Sequence, residues 1–336
     1  MPPARDRKKT RAGRIAIVGR PNVGKSTLLN ALLGEPIAIT SRHPQTTRDQ
    51  ILGVVTREDA QFVFVDTPGV HRARHKLGAR MNALARDAAR DADVVVFMTD
   101  LTPEARPTMS EEDRAILAAL PKSLPIVLVL NKVDRVKDKE RLFPVLERLA
   151  KEHDFAAIVP LSALREGAPP EAQQRARPAE GLRRLLDEIR ERLPEQPKLY
   201  DDDTLSDKPV RFFVAEFVRE QILRKTFQEV PHGVAVTVER FEEPTAKKPD
   251  AATHIELAIH VDREAHKKIL IGARGSMLRE IGTEARKRVE QMLGKHVHLQ
   301  LWVRVTPKWF ESDARLKELG YAGDGAVASS GDGEDA

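Results

Sequence analysis

Short, almost continuous apolar runs alternate along this chain with stretches whose apolar residues recur at helical spacing. Ile15–Val18, Ile51–Val55, Gln61–Val65, Asp93–Met98, Pro125–Leu130 and residues 156–161 read as strands. Most are apolar at consecutive positions, as strands buried on both faces of a sheet must be. Between them, Thr27–Leu33, residues 71–90, the stretch from Ser110 to near Pro121, and residues 139–153 and 181–193 read as helices. Strands alternating with helices predict an α/β domain with a mostly parallel, doubly wound sheet. The pattern lapses at Pro194–Pro209, a proline- and aspartate-rich stretch that reads as a linker, and restarts at Val210. There Phe212, Phe213, Phe217, Ile222 and Leu223 mark one helical face, and Val234–Val238 and Ile255–Ile259 read as strands. Ala265–Ile271 and Ser276–Leu293 read as helices, and Val297–Val305 as a last strand. The expected organisation is a basic disordered tail (1–12), an α/β domain (13–193), a linker (194–209), an α+β domain (210–311), and a C-terminal segment with a disordered tail (312–336). Residues 165–180 read as a surface insertion without assigned function.

Composition narrows this picture. With 336 residues, 41% hydrophobic and 32% charged, the chain has material for more than one core and a well-charged surface. The absence of cysteine excludes disulfides, thiolate metal sites and cysteine nucleophiles. No apolar run approaches the roughly 18 residues of a membrane span. The basic segment Arg5–Arg14 precedes too short an apolar stretch to act as a secretion signal. A formal net charge of +5 favours a polyanionic partner.

The sharpest chemical signal is Gly19-Arg20-Pro21-Asn22-Val23-Gly24-Lys25-Ser26, followed by Thr27, between a strand and a helix. In that setting the glycines let main-chain N–H groups curve around phosphate oxygens, and the helix N-terminus adds positive potential. Lys25 is placed to reach the β- and γ-phosphates, and the Ser26 hydroxyl to hold Mg²⁺. Asp66-Thr67-Pro68-Gly69 ends the strand from Gln61. Asp66 there can hold Mg²⁺ through water, and the Gly69 N–H can meet a γ-phosphate. Asn131-Lys132-Val133-Asp134 follows the most apolar strand, at the end where such sheets place ligands. The Asp134 carboxylate can accept from guanine N1–H and the 2-amino group, donors that adenine lacks. Two charge-assisted bonds of about 1.5–3 kcal/mol each support a discrimination of ~10⁴. Lys132 would lie along the base, Asn131 would brace the loops, and Ser162-Ala163 would offer an N–H to guanine O6.

With the polar loop carrying Thr46-Thr47, these stretches resemble the five motifs of the translation-factor-like GTPases. The resemblance makes residues 45–49 and 66–76 the two switch loops. It also makes Thr47 the preferred switch ligand of Mg²⁺, with Thr46 close behind. The position where Ras-like proteins carry a water-orienting Gln is Val70. Charge stabilisation must then come either from an external arginine or RNA, or from a monovalent cation. The cation is favoured: an asparagine at position 22 resembles the potassium-responsive bacterial GTPases, with K⁺ held partly by the Asn22 carbonyl. The other reading of Asn22 is a loop-bracing amide. Lys25, Asn22, Thr47 and Gly69 are therefore the expected catalytic set.

In the second domain the order helix–strand–strand–helix–GxxG–helix–strand matches a type II KH domain. Ile271-Gly272-Ala273-Arg274-Gly275 is the expected RNA-binding loop, which in KH modules clamps about four single-stranded nucleotides. Arg286-Lys287-Arg288 either widens that basic surface or forms an ordinary solvated face. His296 and His298 share one face of the last strand but have no third metal ligand in view, and Trp302 and Trp309 read as packing residues.

The two domains in this order resemble the Era family of bacterial GTPases over about residues 13–320. The match rests on Gly19–Asn30, Ser41-Arg42, Gln45–Arg48, Asp66–Gly69, His75–Gly78, Ile271-Gly272, Glu284–Lys287, Leu301–Val303 and Leu319–Tyr321. The resemblance implies Mg²⁺-dependent GTP hydrolysis to GDP and binding near the 3′ end of small-subunit ribosomal RNA. It also implies a role in small-subunit assembly, a monomeric state, and a cytoplasmic location with peripheral contact at the membrane's cytoplasmic face. Two other readings share the motifs: an RNA-binding module with GTP as a structural ligand, and a GTPase whose KH-like domain binds protein.

Overall fold

The computed structural model describes residues 10–70, 73, 75–100, 109–136, 138, 140, 142–167, 180–226, 230–244 and 251–321. The chain forms two compact units that divide between Phe213 and Val214, with His75–Leu77 assigned to the second.

The first unit is built on six strands: β1 (Arg11–Gly19), β2 (Ile51–Thr56), β3 (Ala60–Asp66), β4 (Val94–Asp100), β5 (Ile126–Asn131) and β6 (Ala157–Pro160). Their order is β2-β3-β1-β4-β5-β6, and every pair is parallel except β2 with β3. The five apolar residues Ile126–Leu130 of β5 are all buried, as their uninterrupted run requires, and so is the Asn131 that ends the strand. Helices Lys76–Arg90, Glu111–Ala118 and Leu142–Glu152 contribute to one apolar cluster with Val95, Phe97, Leu128 and Leu130. Helices Lys25–Leu33, Ala163–Glu166 and Glu180–Arg192 pack together as a second group. The parallel, doubly wound architecture expected from the sequence is present.

Two segments are more ordered than their composition implies. β1 begins at Arg11, inside the stretch read as a disordered tail. Ala12 is fully buried, and the Arg11 guanidinium donates to the carbonyls of Leu193 (2.7 Å) and Glu191 (3.1 Å). Residues 1–9 lie outside the described residues. The stretch read as a linker, 194–209, bonds to the first unit along much of its length. Val54 N–H donates to Leu205 O at 2.9 Å, and the Ser206 hydroxyl donates to Leu52 O. The wholly buried Gln61 amide accepts from the N–H groups of Leu199 (2.7 Å) and Tyr200 (2.9 Å) and donates to Tyr200 O (2.8 Å). β2 is an edge strand, and these bonds satisfy main-chain groups that the sheet leaves over. Most of the expected 165–180 insertion, residues 168–179, lies outside the described residues.

The second unit holds β7 (Val234–Glu242), β8 (Thr253–Val261) and β9 (Val297–Val305), ordered β7-β8-β9, with β7/β8 antiparallel and β8/β9 parallel. β7 and β8 both run beyond the strands read at Val234–Val238 and Ile255–Ile259. Helices Val210–Lys225, Glu264–Ile271 and Ser276–Leu293 complete the α+β order. Trp309 is fully buried, donates from Nε1 to Gly233 O at 3.1 Å, and stacks on Tyr321. Part of the expected C-terminal segment is a capped helix, Asp313–Glu318, with Leu316 buried; residues 322–336 lie outside the described residues. His298 pairs with His254 across β8 and β9 instead of with His296, which precedes the strand. Among the described residues no three potential ligands of the His, Cys, Asp or Glu type gather for a metal.

Candidate functional site

At the end of β1 the chain turns through Gly19–Gly24 and enters its first helix at Lys25. Lys25 is buried, and its ammonium donates to the carbonyls of Gly19 (3.1 Å) and Arg20 (3.0 Å). Burial pushes its pKa down to about 8. Ser26 Oγ donates to Asp66 Oδ2 at 2.6 Å and lies 2.8 Å from Thr47 Oγ1. Asp66 is fully buried, which pushes its carboxyl up to about 6 against the opposing pull of Lys25 and the two hydroxyls. Asp66 Oδ1 has no hydrogen-bond partner. Two hydroxyls and a carboxylate with an orphaned oxygen are the hard oxygen donors that Mg²⁺ takes, so these residues fit that ion. Thr46 is directed elsewhere. Its hydroxyl donates to His43 O and meets Ser41 Oγ, both at 2.7 Å. Gly69 passes so close to the phosphate loop that a Cβ there would lie 2.7 Å from Pro21 Cα.

At the other end, Asn131 is buried and uses both ends of its amide. Nδ2 donates to Val23 O at 2.8 Å, and Oδ1 accepts from Ala163 N at 3.0 Å. The amide thereby ties three motifs together, the bracing role its type suggested. Ser162 Oγ donates to Asp134 Oδ1 at 2.7 Å. A cavity of about 380 Å³ opens between the two ends, lined among others by Gly24, Lys25, Thr47, Gly69, Asp134 and Ser162. Not every motif residue faces it. Val23 and Thr67 are buried, Thr67 donating to Ile17 O at 2.7 Å, and Val133 packs against the apolar cluster. These three hold the loops in shape from behind.

Sequence reasoning missed two acids. The side chain of Arg20 donates from Nε to Asp113 Oδ1 (2.8 Å) and from Nη2 to Asp100 Oδ1 (3.1 Å). Burial alone would lower the Arg20 guanidinium, but the bond and charge of Asp113, with Asp100, hold it above its ordinary value. Asp100 Oδ2 also accepts from Lys132 Nζ at 2.6 Å. The only available signal was an acid ending β4 and another three residues after Ser110, which reads as ordinary helix capping.

Val70 packs against the apolar cluster, and its N–H donates to Gly19 O at 3.3 Å. Asn22 takes a left-handed backbone (φ 62°). Its Nδ2 donates to Arg42 O at 3.2 Å, and its main-chain oxygen accepts from Lys132 Nζ at 2.8 Å.

In the second unit, Gly272–Gly275 link two helices. Gly272 has φ 69°, and a Cβ there would lie 2.8 Å from that of Met277, so a side chain is excluded twice over. Arg274 sits at φ 50°. Leu270 is core, Ile271 half-buried, and Ile269 is 49% exposed beside the loop. The basic triplet divides. Arg288 pairs with the buried Glu220 and lies over the Phe217 ring at 4.1 Å, whereas Lys287 is exposed and bonded to Glu284 at 2.7 Å. Arg288 therefore belongs to the packing of this unit and not to a continuous basic surface.

Two family models match the chain: a 50S ribosome-binding GTPase over residues 14–132 and a KH domain over residues 229–310. Similar proteins include the GTPase Era of Trichlorobacter lovleyi, 42% identical over 93% of this chain and 98% of that protein. The GTPase Era of Marinobacter nauticus is 43% identical over 94% and 96% of the two chains. Among solved structures, a variant of Aquifex aeolicus Era bound to GDP and AlF4⁻ aligns with a TM-score of 0.84 at 37% identity, covering 93% of this chain and 100% of that one. An Era complex with MgGDPNP and nucleotides 1506–1542 of 16S ribosomal RNA aligns equally well, at TM-score 0.84 and 37% identity, over 93% and 99% of the two chains.

Proposed function

The chain belongs to the Era family of GTPases, and on that premise we propose that it is a GTP-hydrolysing switch in small ribosomal subunit assembly. Its KH domain grips single-stranded small-subunit ribosomal RNA near the 3′ end. The observation that carries the reading is that Ser26 and Thr47, which line the same cavity as Asp134, meet each other, with Ser26 bonded to the buried Asp66 carboxylate. The cavity takes a guanine nucleotide. Lys25 and the Gly19–Thr27 main chain hold its phosphates, Asn131, Lys132, Asp134, Ser162 and Ala163 hold its base, and Gly69 meets the γ-phosphate. Mg²⁺ would be held by Ser26, Thr47 and Asp66, neutralising charge on the transferring phosphoryl group. The solved relatives with GDP and AlF4⁻, MgGDPNP and ribosomal RNA support these assignments.

Because Val70 offers no hydrogen bond to water, charge stabilisation comes from a monovalent cation, K⁺, at the Asn22 side of the phosphates. Hydrolysis that runs equally fast in Na⁺ and K⁺ would remove this part of the reading. Ile271–Gly275 form the RNA loop, with Arg274 contributing a salt-sensitive phosphate contact. The protein acts as a cytoplasmic monomer and touches the inner membrane peripherally; no helix among the described residues is long and apolar enough to cross one. Co-flotation with anionic vesicles checks the membrane contact. Single-turnover hydrolysis of labelled GTP with Mg²⁺, with and without RNA carrying the small-subunit 3′ end, tests the whole. Release of phosphate in either condition is expected, and none in both would refute it.

A further inference from the structure

Two acids without a part in the proposed chemistry, Asp113 and Asp100, join Arg20 and the cavity-lining Lys132 in a set of four charges. Asp113 is 1% exposed and fully bonded. Its Oδ1 accepts from Arg20 Nε at 2.8 Å, and its Oδ2 accepts from Thr99 Oγ1 at 3.0 Å and Ser110 Oγ at 2.9 Å. Asp100, whose side chain is 7% exposed, divides its oxygens between Arg20 Nη2 at 3.1 Å and Lys132 Nζ at 2.6 Å. Two cations and two anions are thus held together in a largely desolvated site. The set reaches the nucleotide loops at two further atoms. The carbonyl of Arg20 accepts from Lys25 Nζ at 3.0 Å, and the carbonyl of Asn22 accepts from Lys132 Nζ at 2.8 Å.

We propose that Asp113 and Asp100 are positioning residues for nucleotide binding. They fix the phosphate loop through Arg20 and the base-recognition loop through Lys132, so both ends of the cavity are preformed as one rigid unit. A phosphate loop must hold several N–H groups in a concave array, and ordering it on binding would subtract from affinity. Anchoring Arg20 from outside the cavity removes that ordering step. Lys132 is the shared member, bonded at once to the phosphate loop and to Asp100. Removing the charge of Asp113 leaves the Arg20 Nε with a neutral partner inside a protein wall, and the loop is released to follow its side chain into solvent.

This inference rests on the guanine-nucleotide reading of the cavity. Its test is the dissociation rate of a fluorescent GDP from the full chain in Mg²⁺, for the parent, Asp113→Asn, Arg20→Met and the double variant, with thermal unfolding of each measured separately. Asp113→Asn is expected to release GDP about tenfold faster or more, a difference of about 1.4 kcal/mol. The double variant should be no faster than the quicker single one, because Asp113 acts through Arg20. A residue that only stabilises its own helix would lower the unfolding temperature while leaving release unchanged, or would add its effect to that of Arg20→Met; either result overturns the proposal. Should Asp113→Asn not fold, Asp100→Asn is read by the same release criterion. A parent that fails to bind the labelled GDP removes the nucleotide reading itself. A parent that binds, with variants that release at its rate, removes only this inference.

Discussion

Replacing Asn131 with alanine deletes a side chain that joins the phosphate loop, the base-recognition loop and the turn after β6. Asn131 is 3% exposed, and its two bonds, to Val23 O at 2.8 Å and from Ala163 N at 3.0 Å, are well formed. Each such bond contributes about 0.5–1.5 kcal/mol net, and each buried partner left unpaired costs about 1–3 kcal/mol. Water entering from the cavity recovers part of this, leaving an expected loss of roughly 2–4 kcal/mol from the nucleotide-free first unit. For a unit of this size the loss lowers the unfolding temperature by about 5–15 °C. Asn131→Asp is the informative companion. It keeps the size and the acceptor for Ala163, but it places a carboxylate oxygen against the Val23 carbonyl, so it should be as damaging as alanine or worse. The assay is thermal unfolding followed by circular dichroism, with GDP affinity measured by fluorescence. Were both variants to unfold within about a degree of the parent and bind GDP as tightly, the bracing role of Asn131 would be wrong, since two buried bonds cannot be lost at no cost.

Three further outcomes follow from the same geometry. Asp134→Asn should weaken GDP by about 10²–10⁴-fold, since two charge-assisted bonds are lost, and should favour xanthosine diphosphate, whose 2-oxo group can accept from the new amide; competition binding reads both effects. Gly69→Ala places a methyl 2.7 Å from the Pro21 backbone, so the second switch loop must back away. Phosphate release should fall by at least about tenfold while GDP binding stays within a few-fold, because the Gly69 N–H is needed only when a γ-phosphate is present. The buried Asp66 carboxyl sits at about 6 in the metal-free protein, above its ordinary 3.8, so the folded chain holds this proton where the unfolded chain has lost it. Asp66 thus weakens the metal-free fold as pH rises from about 4 to 6. Mg²⁺ must displace the proton below about pH 6, and Mg²⁺ affinity by calorimetry should fall as pH drops through that value.

The strands and helices of the first unit were legible because their apolar runs are long and their boundaries carry glycine, proline or caps. Ser110, where a helix was read to begin, caps it, its side chain accepting from Asp113 N at 3.0 Å. What composition hid were segments ordered by partners distant in sequence. Arg11 reads as tail because its carbonyl partners lie at residues 191 and 193, and residues 194–209 read as linker because an anchor of that stretch is the buried amide of Gln61. The same limit applied at the site. Phosphate-loop and base motifs were legible from local spacing, but the Arg20–Asp100–Asp113 set was not, because its members come from three separate elements. Arg288 shows the converse error: a basic triplet on a helix looks like surface until one member turns inward to Glu220 and Phe217.

The central claim, that a guanine-nucleotide switch and an RNA grip occur together in this chain, is tested most directly by equilibrium binding of the GTP-analogue-loaded protein to RNA. The probe is labelled single-stranded RNA of the small-subunit 3′ terminus, compared with a scrambled sequence, for the parent and for a variant carrying Ala273→Asp and Arg274→Asp. The parent should prefer the 3′-terminal RNA, and the variant should lose that binding by more than about tenfold, as two added negative charges face phosphates, while its GTP binding is retained. Equal binding of the two RNAs by the parent, or undiminished binding by the variant, would contradict it.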